Sequence, residues 1–245
     1  MSAMCCFKER ELVCVTGAGG KTSLIIALAT PLAERSRVMV TTTTRMGCWE
    51  IPKGYAFAVG DRDFITRRAK EQKRGHPPLF AACGVAGEKY LGLSPDYVDY
   101  VYVNDLMDIV LVEGDGAKKF PVKGYSEWEP VIPGNTTCHI VVVGAEIFFK
   151  VLDEKTVFRP ESFFSVSGIT PGKVLSAGEI VRVLEHPQVF LKGSPKGEGI
   201  RRILVINKID LLEGAGEDVR KKLQDVEKTL SKYDDLWKVS LKCKG

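Results

Sequence analysis

Short continuous runs of apolar residues recur along the chain, separated by segments that are helical in pattern or rich in Gly and Pro. Unbroken apolar runs are typical of strands buried on both faces of a sheet. We predict strands at residues 11–16, 37–43, 79–84, 108–113, 139–144, 202–207 and 236–240. The alternation of strands with helices favours βαβ units. The predicted fold class is therefore α/β, with a mostly parallel, doubly wound sheet and helices on both faces.

Helical periodicity is clearest from Asp218 to Tyr233, where apolar residues recur at spacings of four and three among charged ones. Such a stripe packs one face of a helix on the sheet. A second helix is predicted from Thr22 to Arg35, and we expect Pro31 to kink it or to end it early. Residues 61–75 predict a solvated helix, and residues 193–199 predict a surface loop.

Composition limits the size of the fold and the choice of partners. The chain has 245 residues, of which 44% are hydrophobic, enough for one sizeable core. We therefore predict a single domain over residues 1–245. The 35 basic and 31 acidic residues leave a formal charge of +4, which is too small to indicate nucleic acid. Small anionic molecules are the simplest partners.

Cysteine usage and the absence of long apolar stretches bear on localisation. The seven cysteines are scattered and form no C-x-x-C pair, a pattern typical of a reducing compartment. The N-terminus lacks the apolar core of a signal peptide, and no apolar stretch approaches the ~20 residues of a membrane span. We expect a soluble, cytoplasmic protein.

A glycine-rich segment lies between the first predicted strand and the helix that follows it. Glycines let a loop turn tightly and bring its backbone amides to phosphate oxygens, and the helix N-terminus adds further amides. Lys21 would place its charge on the β- and γ-phosphates, and the Thr22 hydroxyl would contact Mg²⁺. Val15 stands where the usual motif has its first glycine, so the loop is shortened. The predicted phosphate-binding residues are Gly17, Ala18, Gly19, Gly20, Lys21, Thr22 and Ser23.

The alternative for this segment is a glycine turn that binds nothing. The Gly-Lys-Thr triplet at the start of the helix favours a phosphate site, and with it a P-loop NTPase-like domain.

The segment Asn207-Lys208-Ile209-Asp210 ends another predicted strand and is similar to the guanine-reading element of GTPases. There the Asp carboxylate accepts from N1–H and from the exocyclic amine of guanine, a pair of donors that adenine lacks. Asp210 would read the base, Asn207 would brace the loop, and the Lys208 stem would pack on the ring. A strand that ends in a polar turn is the alternative. Ser240 lies where GTPases have their last base-contacting loop, but this likeness is weak.

The predicted strand at residues 108–113 ends in Glu113-Gly114-Asp115-Gly116. An acidic residue at such a strand end can hold Mg²⁺ or orient the attacking water. Either Glu113 or Asp115 fits this description, and the sequence alone does not separate them. Carboxylates on an ordinary polar turn are the alternative.

Other polar residues lie after the predicted strands. Thr41–Thr44 either contact a metal or phosphate or simply prolong a strand. Arg45 would stabilise charge on the γ-phosphate if it faces that group, and is otherwise a surface arginine. Lys118 and Lys123 would bind a small anionic substrate, or they belong to a solvated loop.

Five segments, taken in order, resemble the selenium-dependent hydroxylase accessory proteins, the YqeC family. They are VTGAGGKTS at 15–23, the Thr-rich strand end with Arg45-Met46, LVEGDGAK at 111–118, EPVIP at 129–133 and NKID at 207–210. The resemblance implies a P-loop nucleotide-binding protein that assists maturation of selenium-dependent molybdenum hydroxylases, in making or inserting a labile selenium-containing cofactor. The hydroxylase or its maturation proteins would be partners.

Two more distant likenesses bear on the reaction. The spacing Glu-x-x-Gly together with Asn-Lys-x-Asp is similar to that of the metallochaperone GTPases that deliver nickel. Those proteins have a longer phosphate loop and metal-binding Cys or His motifs that this sequence lacks. The compact phosphate loop instead resembles that of the Mur ligases, which activate acids with ATP.

Our leading hypothesis is a Mg²⁺-dependent GTPase. In it Lys21 holds phosphate, Thr22 and Glu113 or Asp115 hold the metal, and Asn207 and Asp210 select guanine. The first alternative is a kinase or ligase that uses GTP or ATP to activate an anionic substrate. The second is a GTP-gated switch without enzymatic activity.

Overall fold

The structure is a computed structural model that describes residues 7–241, and its strands are short and mostly buried. In chain order the strands are β1 (Glu11–Gly17), β2 (Val38–Thr42), β3 (Arg45–Gly47), β4 (Ala56–Val59), β5 (Leu79–Ala82), β6 (Gly84–Ala86), β7 (Lys89–Leu91), β8 (Ile109–Glu113), β9 (Val122–Lys123), β10 (Cys138–Gly144), β11 (Val157–Phe158), β12 (Arg201–Asn207) and β13 (Asp235–Val239).

The helices of the described residues lie between these strands. They are α1 (Lys21–Ala33), α2 (Arg62–Lys70), α3 (Pro95–Val103), α4 (Pro160–Ser167), α5 (Ala177–Leu184) and α6 (Glu217–Thr229). Three short 3₁₀ turns, at Cys48–Glu50, Ala145–Phe148 and Ile209–Leu212, each follow the end of a strand.

Eight strands form one sheet in the order β13-β12-β10-β1-β8-β2-β5-β4, and every neighbouring pair is parallel. All eight strands therefore end at the same edge, where open α/β sheets bind their ligands. A three-stranded antiparallel sheet (β3-β7-β6) and a two-stranded parallel sheet (β9-β11) lie outside it.

Helices cover both faces of the large sheet, as β1 shows directly. Val13 and Val15 belong to a core cluster with α1, whereas Leu12 and Cys14 belong to a second cluster with α2 and α3. A third cluster joins α5 and α6 to β10 and β12. Alternate side chains of a strand point to opposite faces, so a continuous apolar run is what a doubly covered strand requires. The predicted α/β class is confirmed.

Each of the seven predicted strands overlaps a strand of the large sheet, but other details differ. The edge strand β4 was not predicted, because four residues between glycines give little pattern. The helix α1 continues past Pro31 to Ala33, since a proline in the last turn removes only one hydrogen bond near the helix end. The helix α6 ends at Thr229, earlier than predicted.

The apolar residues beyond α6 still pack on the core from an irregular segment. The backbone turns extended at Leu230, and Tyr233 donates a hydrogen bond of 2.6 Å from its hydroxyl to Leu184 O. Their periodic spacing therefore reflects burial, not helix. The predicted helix within 61–75 is observed as α2, and residues 193–199 contain no helix or strand.

Two findings bear on the predicted compartment. None of the helices between residues 7 and 241 is long and apolar enough to cross a membrane. The described cysteines, Cys14, Cys48, Cys83 and Cys138, are free thiols. The other cysteines, Cys5, Cys6 and Cys243, lie outside the described residues, as does most of the N-terminal segment used in the prediction of no signal peptide.

Candidate nucleotide site

The glycine-rich loop joins the end of β1 to the start of α1, the arrangement that a phosphate cradle requires. Two positions of this loop require glycine, because φ is positive there and because a Cβ would collide with a neighbouring segment. Gly17 has φ +97° and a Cβ there would lie 2.2 Å from Val142 O. Gly20 has φ +125° and a Cβ there would lie 2.2 Å from Asn207 Nδ2. The loop is therefore packed tightly against the ends of β10 and β12.

Some amides of this loop bond within the protein. Ala18 donates to Val142 O at 2.8 Å, and Gly19 donates to Phe120 O at 2.9 Å. The helix α1 begins at Lys21, and Gly20 provides no capping side chain. Amides at an uncapped helix start are suited to bind phosphate. The helix N-terminus thus contributes more to the candidate phosphate site than the middle of the loop.

Lys21 is buried and held in place by the loop and by acidic partners. Its Nζ donates to Gly17 O at 2.9 Å and lies 3.0 Å from Asp115 Oδ1 and 3.9 Å from Glu113 Oε1. Burial would lower the pKa of Lys21, but the charges of Asp115 and Glu113 outweigh it and raise that pKa. Lys21 is therefore a permanent cation at the loop.

Asp115 is buried and pairs with protein groups through both carboxylate oxygens. Its Oδ1 pairs with Lys21, and its Oδ2 accepts from the Gly17 amide at 3.0 Å and lies 3.3 Å from Lys123 Nζ. Burial would raise the pKa of Asp115, yet Lys21 and Lys123 hold it below its usual value. Asp115 therefore braces the phosphate loop and its lysine, which is a different task from the metal contact predicted for it.

Lys123 is buried, whereas the sequence analysis treated it as a surface charge for an anionic substrate. Its Nζ lies 3.0 Å from Glu129 Oε2 and 2.5 Å from Gly116 O, in addition to Asp115. Burial is the main cause that lowers the pKa of Lys123. Glu129 in turn pairs with Arg159. With its charge neutralised inside the protein, Lys123 is corrected to a structural residue.

Three oxygen-bearing side chains meet at the start of α1. The Thr22 Oγ1 lies 2.7 Å from Glu113 Oε2 and 2.9 Å from Glu50 Oε2. A hydroxyl has one hydrogen and cannot donate fully to two carboxylates at once. Burial, and then the nearby charges of Glu50 and Asp115, raise the pKa of Glu113 despite Lys21. A cation at this point would relieve that repulsion.

The donor set fits Mg²⁺. This ion takes carboxylate and hydroxyl oxygens, usually with only one or two carboxylates together with waters and substrate phosphates. Thr22, Glu113 and Glu50 supply such oxygens beside the phosphate loop. In the part of the chain that the structure describes, no group of three His, Cys, Asp or Glu is placed to hold a metal. Any metal here would therefore depend on Thr22 and on the nucleotide.

The end of β12 is joined to the phosphate loop through Asn207. The buried Asn207 donates from Nδ2 to Gly19 O at 2.8 Å. Its Oδ1 accepts from the amides of Lys208, at 2.8 Å, and of Leu241, at 2.9 Å. One side chain thus connects three segments at the carboxyl edge of the sheet.

Of the remaining residues of this motif, Ile209 packs on the core, whereas Lys208 and Asp210 face outward or pair locally. The Asp210 side chain is exposed, and its amide donates to Ser240 Oγ at 3.0 Å. Lys208 has φ +62°, and its Nζ lies 2.6 Å from Glu146 Oε1. Asp210 therefore lies exposed on the turn that follows Asn207, and the Ser240 hydroxyl holds the backbone of that turn.

The other residues predicted for the site lie on several elements around the phosphate loop. Arg45 is exposed on β3, in the small antiparallel sheet. Ser23 lies in the first turn of α1. The threonines at the end of β2 hydrogen-bond backbone carbonyls, as Thr42 does with Glu113 O at 2.9 Å. Lys118 is exposed, in the loop that follows Glu113. The functional roles of these residues stay predictions.

Glu50 is the residue at the centre of the site that the sequence analysis missed. It lies in the 3₁₀ turn Cys48–Glu50 and is held there by the Gly47 amide, which donates to its Oε1 at 2.9 Å. It belongs to no recognised motif. The signal available was its place shortly after the threonine-rich strand end, at the sheet edge that carries the other site residues.

The chain is similar to known proteins along most of its length. A profile of the family described as "YqeC protein" matches residues 13–161. The "Uncharacterized protein YqeC" of Escherichia coli (strain K12) is 32% identical over 209 residues, which cover 85% of this chain and 80% of that protein. The crystal structure of hydrogenase maturation factor HypB from Archaeoglobus fulgidus superposes with a TM-score of 0.43 at 15% identity, over 95% of this chain and 82% of that one.

Proposed function

Because the chain belongs to the YqeC family, we propose that it is a magnesium-dependent nucleotide-binding protein that prefers GTP and hydrolyses it. It acts in the maturation of a selenium-dependent molybdenum hydroxylase, the pathway that the resemblance of its motifs implies. We also place the protein in the cytoplasm, where scattered free thiols are maintained.

The observation that supports this proposal is the set of hydrogen bonds made by the Asn207 side chain. A single amide side chain bonds Gly19 of the phosphate loop, the Lys208 amide near Asp210 and the Leu241 amide next to Ser240, whose hydroxyl accepts from the Asp210 amide. The candidate phosphate site is thereby linked to the turn that carries the candidate base-reading carboxylate. A chance Asn-Lys-x-Asp string would have no reason to bond the phosphate loop.

The contacts of each residue indicate its role in binding the nucleotide. Lys21 and the start of α1 bind the phosphates, and Asp115 keeps Lys21 in place. Thr22 and Glu113 hold Mg²⁺ with help from Glu50. A Mg²⁺ ion held by these residues would supply positive charge beside the phosphates. This assignment selects Glu113 over Asp115 as the metal carboxylate.

The exposed carboxylate of Asp210 selects the base. A carboxylate accepts from both donors on the guanine edge, N1–H and the exocyclic amine. Adenine presents no such pair of donors, so the carboxylate would stay unpaired beside it. Rejection by an unpaired polar group is worth up to ~10⁴-fold.

An exchange of base specificity tests this assignment. In Asp210→Asn the side chain offers one donor and one acceptor, which matches xanthine, whose C2 carbonyl replaces the guanine amine. We expect GTP affinity to fall about a hundredfold or more and XTP affinity to rise. Titration calorimetry of both nucleotides with Mg²⁺ measures the exchange. Asp218→Asn, at an exposed position on α6, serves as the matched control.

Retention of the GTP preference by Asp210→Asn would show that Asp210 does not read the base.

A second assay separates an enzyme from a non-enzymatic switch. Phosphate release from Mg·GTP should exceed that of Lys21→Ala, because the variant loses the cation that contacts the phosphates. Equal rates of phosphate release would contradict the proposed hydrolysis. Nucleotide binding would still be decided by the calorimetric titration.

A further inference from the structure

Three cationic side chains surround the ring of Phe158. Lys118 Nζ lies 5.4 Å, Lys123 Nζ 5.8 Å and the Arg159 guanidinium carbon 5.0 Å from the ring centroid. Each distance is within the range of a cation–π contact. Three like charges around one ring also repel one another, so the arrangement needs negative charge nearby.

Carboxylates compensate two of these three cations. Lys123 pairs with Asp115 and Glu129, and Arg159 pairs with both oxygens of Glu129. Between residues 7 and 241, Lys118 has no carboxylate within ion-pair distance, and its side chain is exposed. The charge of Lys118 is therefore left without an acidic partner.

A chain of ion pairs connects the phosphate loop with the cations around Phe158. It runs from Lys21 through Asp115, Lys123 and Glu129 to Arg159, and Glu113 adds a third carboxylate 3.9 Å from Lys21. Its three cations and three carboxylates therefore balance, so this chain of ion pairs leaves the charge of Lys118 uncompensated.

The cluster lies beside the phosphate loop. Phe120 O accepts the Gly19 amide of that loop at 2.9 Å, and the Phe120 ring lies 5.8 Å from that of Phe158. The ammonium of Lys118 lies over the ring of Phe158, on the small β9-β11 sheet. A ligand held by Lys118 would thus be a neighbour of the phosphate loop.

We propose that Lys118, Phe158 and Arg159 form a second binding site, which takes the anionic group of a small substrate that carries a carboxylate or a phosphate. The anion would accept charge-assisted hydrogen bonds from Lys118 and Arg159 and would relieve their repulsion. The proposal rests on the proposed function in one respect: a substrate held here would lie near a bound nucleotide, because Phe120 joins the cluster to the phosphate loop.

Chemical protection of Lys118 tests the second site. The chain is acetylated briefly with an N-hydroxysuccinimide ester, and the modification of each lysine is read by mass spectrometry of peptides. Sodium phosphate and sodium acetate are compared with sodium chloride at equal ionic strength. We expect phosphate or acetate to slow acetylation of Lys118 about fivefold, with saturation. The exposed Lys221 on α6 is the internal control and should react at an unchanged rate.

Two preparations keep this test separate from the proposed function. One carries Mg²⁺ and a non-hydrolysable GTP analogue, so that the phosphate loop is filled. The other is the unmodified chain without nucleotide, so that the result does not depend on nucleotide binding. Protection in both preparations supports the second site, and the more effective anion identifies a phosphate or a carboxylate ligand.

Two outcomes would overturn the proposal. One is equal acetylation of Lys118 in all three salts. The other is protection by the GTP analogue alone with no further effect of phosphate or acetate, which would assign Lys118 to the nucleotide. A failure of the analogue to bind would contradict the proposed function, and the footprint of the nucleotide-free chain would still decide the second site.

Discussion

At the scale of single residues, the buried Asp115 carboxylate holds the phosphate loop and its lysine in place. It pairs with two buried lysines, Lys21 and Lys123, and accepts the amide of Gly17. Burial of charge is tolerated only where partners are present and well placed. The lysine that would touch phosphate is therefore positioned by a residue that need not touch the ligand at all.

Replacement of Asp115 by Asn should destabilise the fold strongly. The variant keeps the shape of the side chain but leaves two buried lysines with a neutral partner. Breaking a buried pair in this way costs ~3–5 kcal/mol of unfolding free energy. Urea denaturation followed by circular dichroism measures the change. Asp218→Asn, at an exposed site, should stay within about 0.5 kcal/mol of the parent. Similar stabilities for the two variants would contradict the role given to Asp115.

Glu50 offers a second test at this scale. In Glu50→Gln the negative charge beside Thr22 is lost while the hydrogen bond can remain. We expect the Mg²⁺ concentration needed for half-maximal GTP binding to rise by ~10–100-fold, as is typical for groups that support a metal site. Glu71→Gln, which alters an exposed ion pair with Arg68, is the control. An unchanged Mg²⁺ dependence would exclude Glu50 from the metal site.

The residue scale also shows why sequence alone could place some residues of the candidate site and not others. Lys21, Thr22 and Glu113 could be placed there because each lies at or after the end of a buried strand, within a recognisable short motif. Glu50 reaches Thr22 only through the path of the chain after β2. Lys123 belongs to a run of charges, and such runs are usually solvated, so its burial could not be expected.

At the scale of elements, the site depends on close contact between the phosphate loop and the strand ends beside it. Gly20 approaches Asn207 so closely that no other residue fits without displacing that side chain. The strands could be predicted from their apolar runs, because burial on both faces leaves a simple pattern. The contacts between strand ends could not, since they depend on sheet order, which the runs do not encode.

Replacement of Gly20 by Ala should disrupt this contact. The added methyl group would collide with Asn207 Nδ2, in a backbone conformation that side chains rarely adopt. We expect GTP affinity to fall by at least about tenfold, measured by calorimetry. Gly75→Ala is a matched control, because Gly75 also has a positive φ but has open space around it. It should lose stability without loss of affinity, and an equal loss of affinity in both variants would contradict the account.

At the scale of the whole molecule, a buried histidine makes stability depend on pH. The ring of His139 lies between the Thr16 hydroxyl, 2.8 Å from Nε2, and the Ser194 hydroxyl, 2.9 Å from Nδ1. Burial lowers the pKa of His139 to about 4. The residue joins β10 to the strand that carries the phosphate loop and to the surface loop that precedes β12.

The sign of the resulting pH dependence follows from proton binding. Between pH ~6.5, the ordinary histidine pKa, and about 4, the unfolded chain binds a proton that the folded protein does not. The contribution of His139 is therefore complete above pH ~6.5 and is lost as pH falls towards 4, by ~3 kcal/mol in total. Urea denaturation at several pH values should show a smaller acid loss for His139→Gln than for the parent. The exposed His76→Gln should behave like the parent, and an unchanged acid loss in His139→Gln would contradict this assignment.

The measurement that tests the central claim most directly is calorimetric titration of the unmodified chain with GTP and with ATP, each with Mg²⁺. The geometry at Asn207 and Asp210 predicts that GTP binds and that ATP binds about a thousandfold more weakly, or not at all. Equal affinities, or a preference for ATP, would contradict guanine recognition by Asp210 and would favour a kinase or ligase that uses ATP.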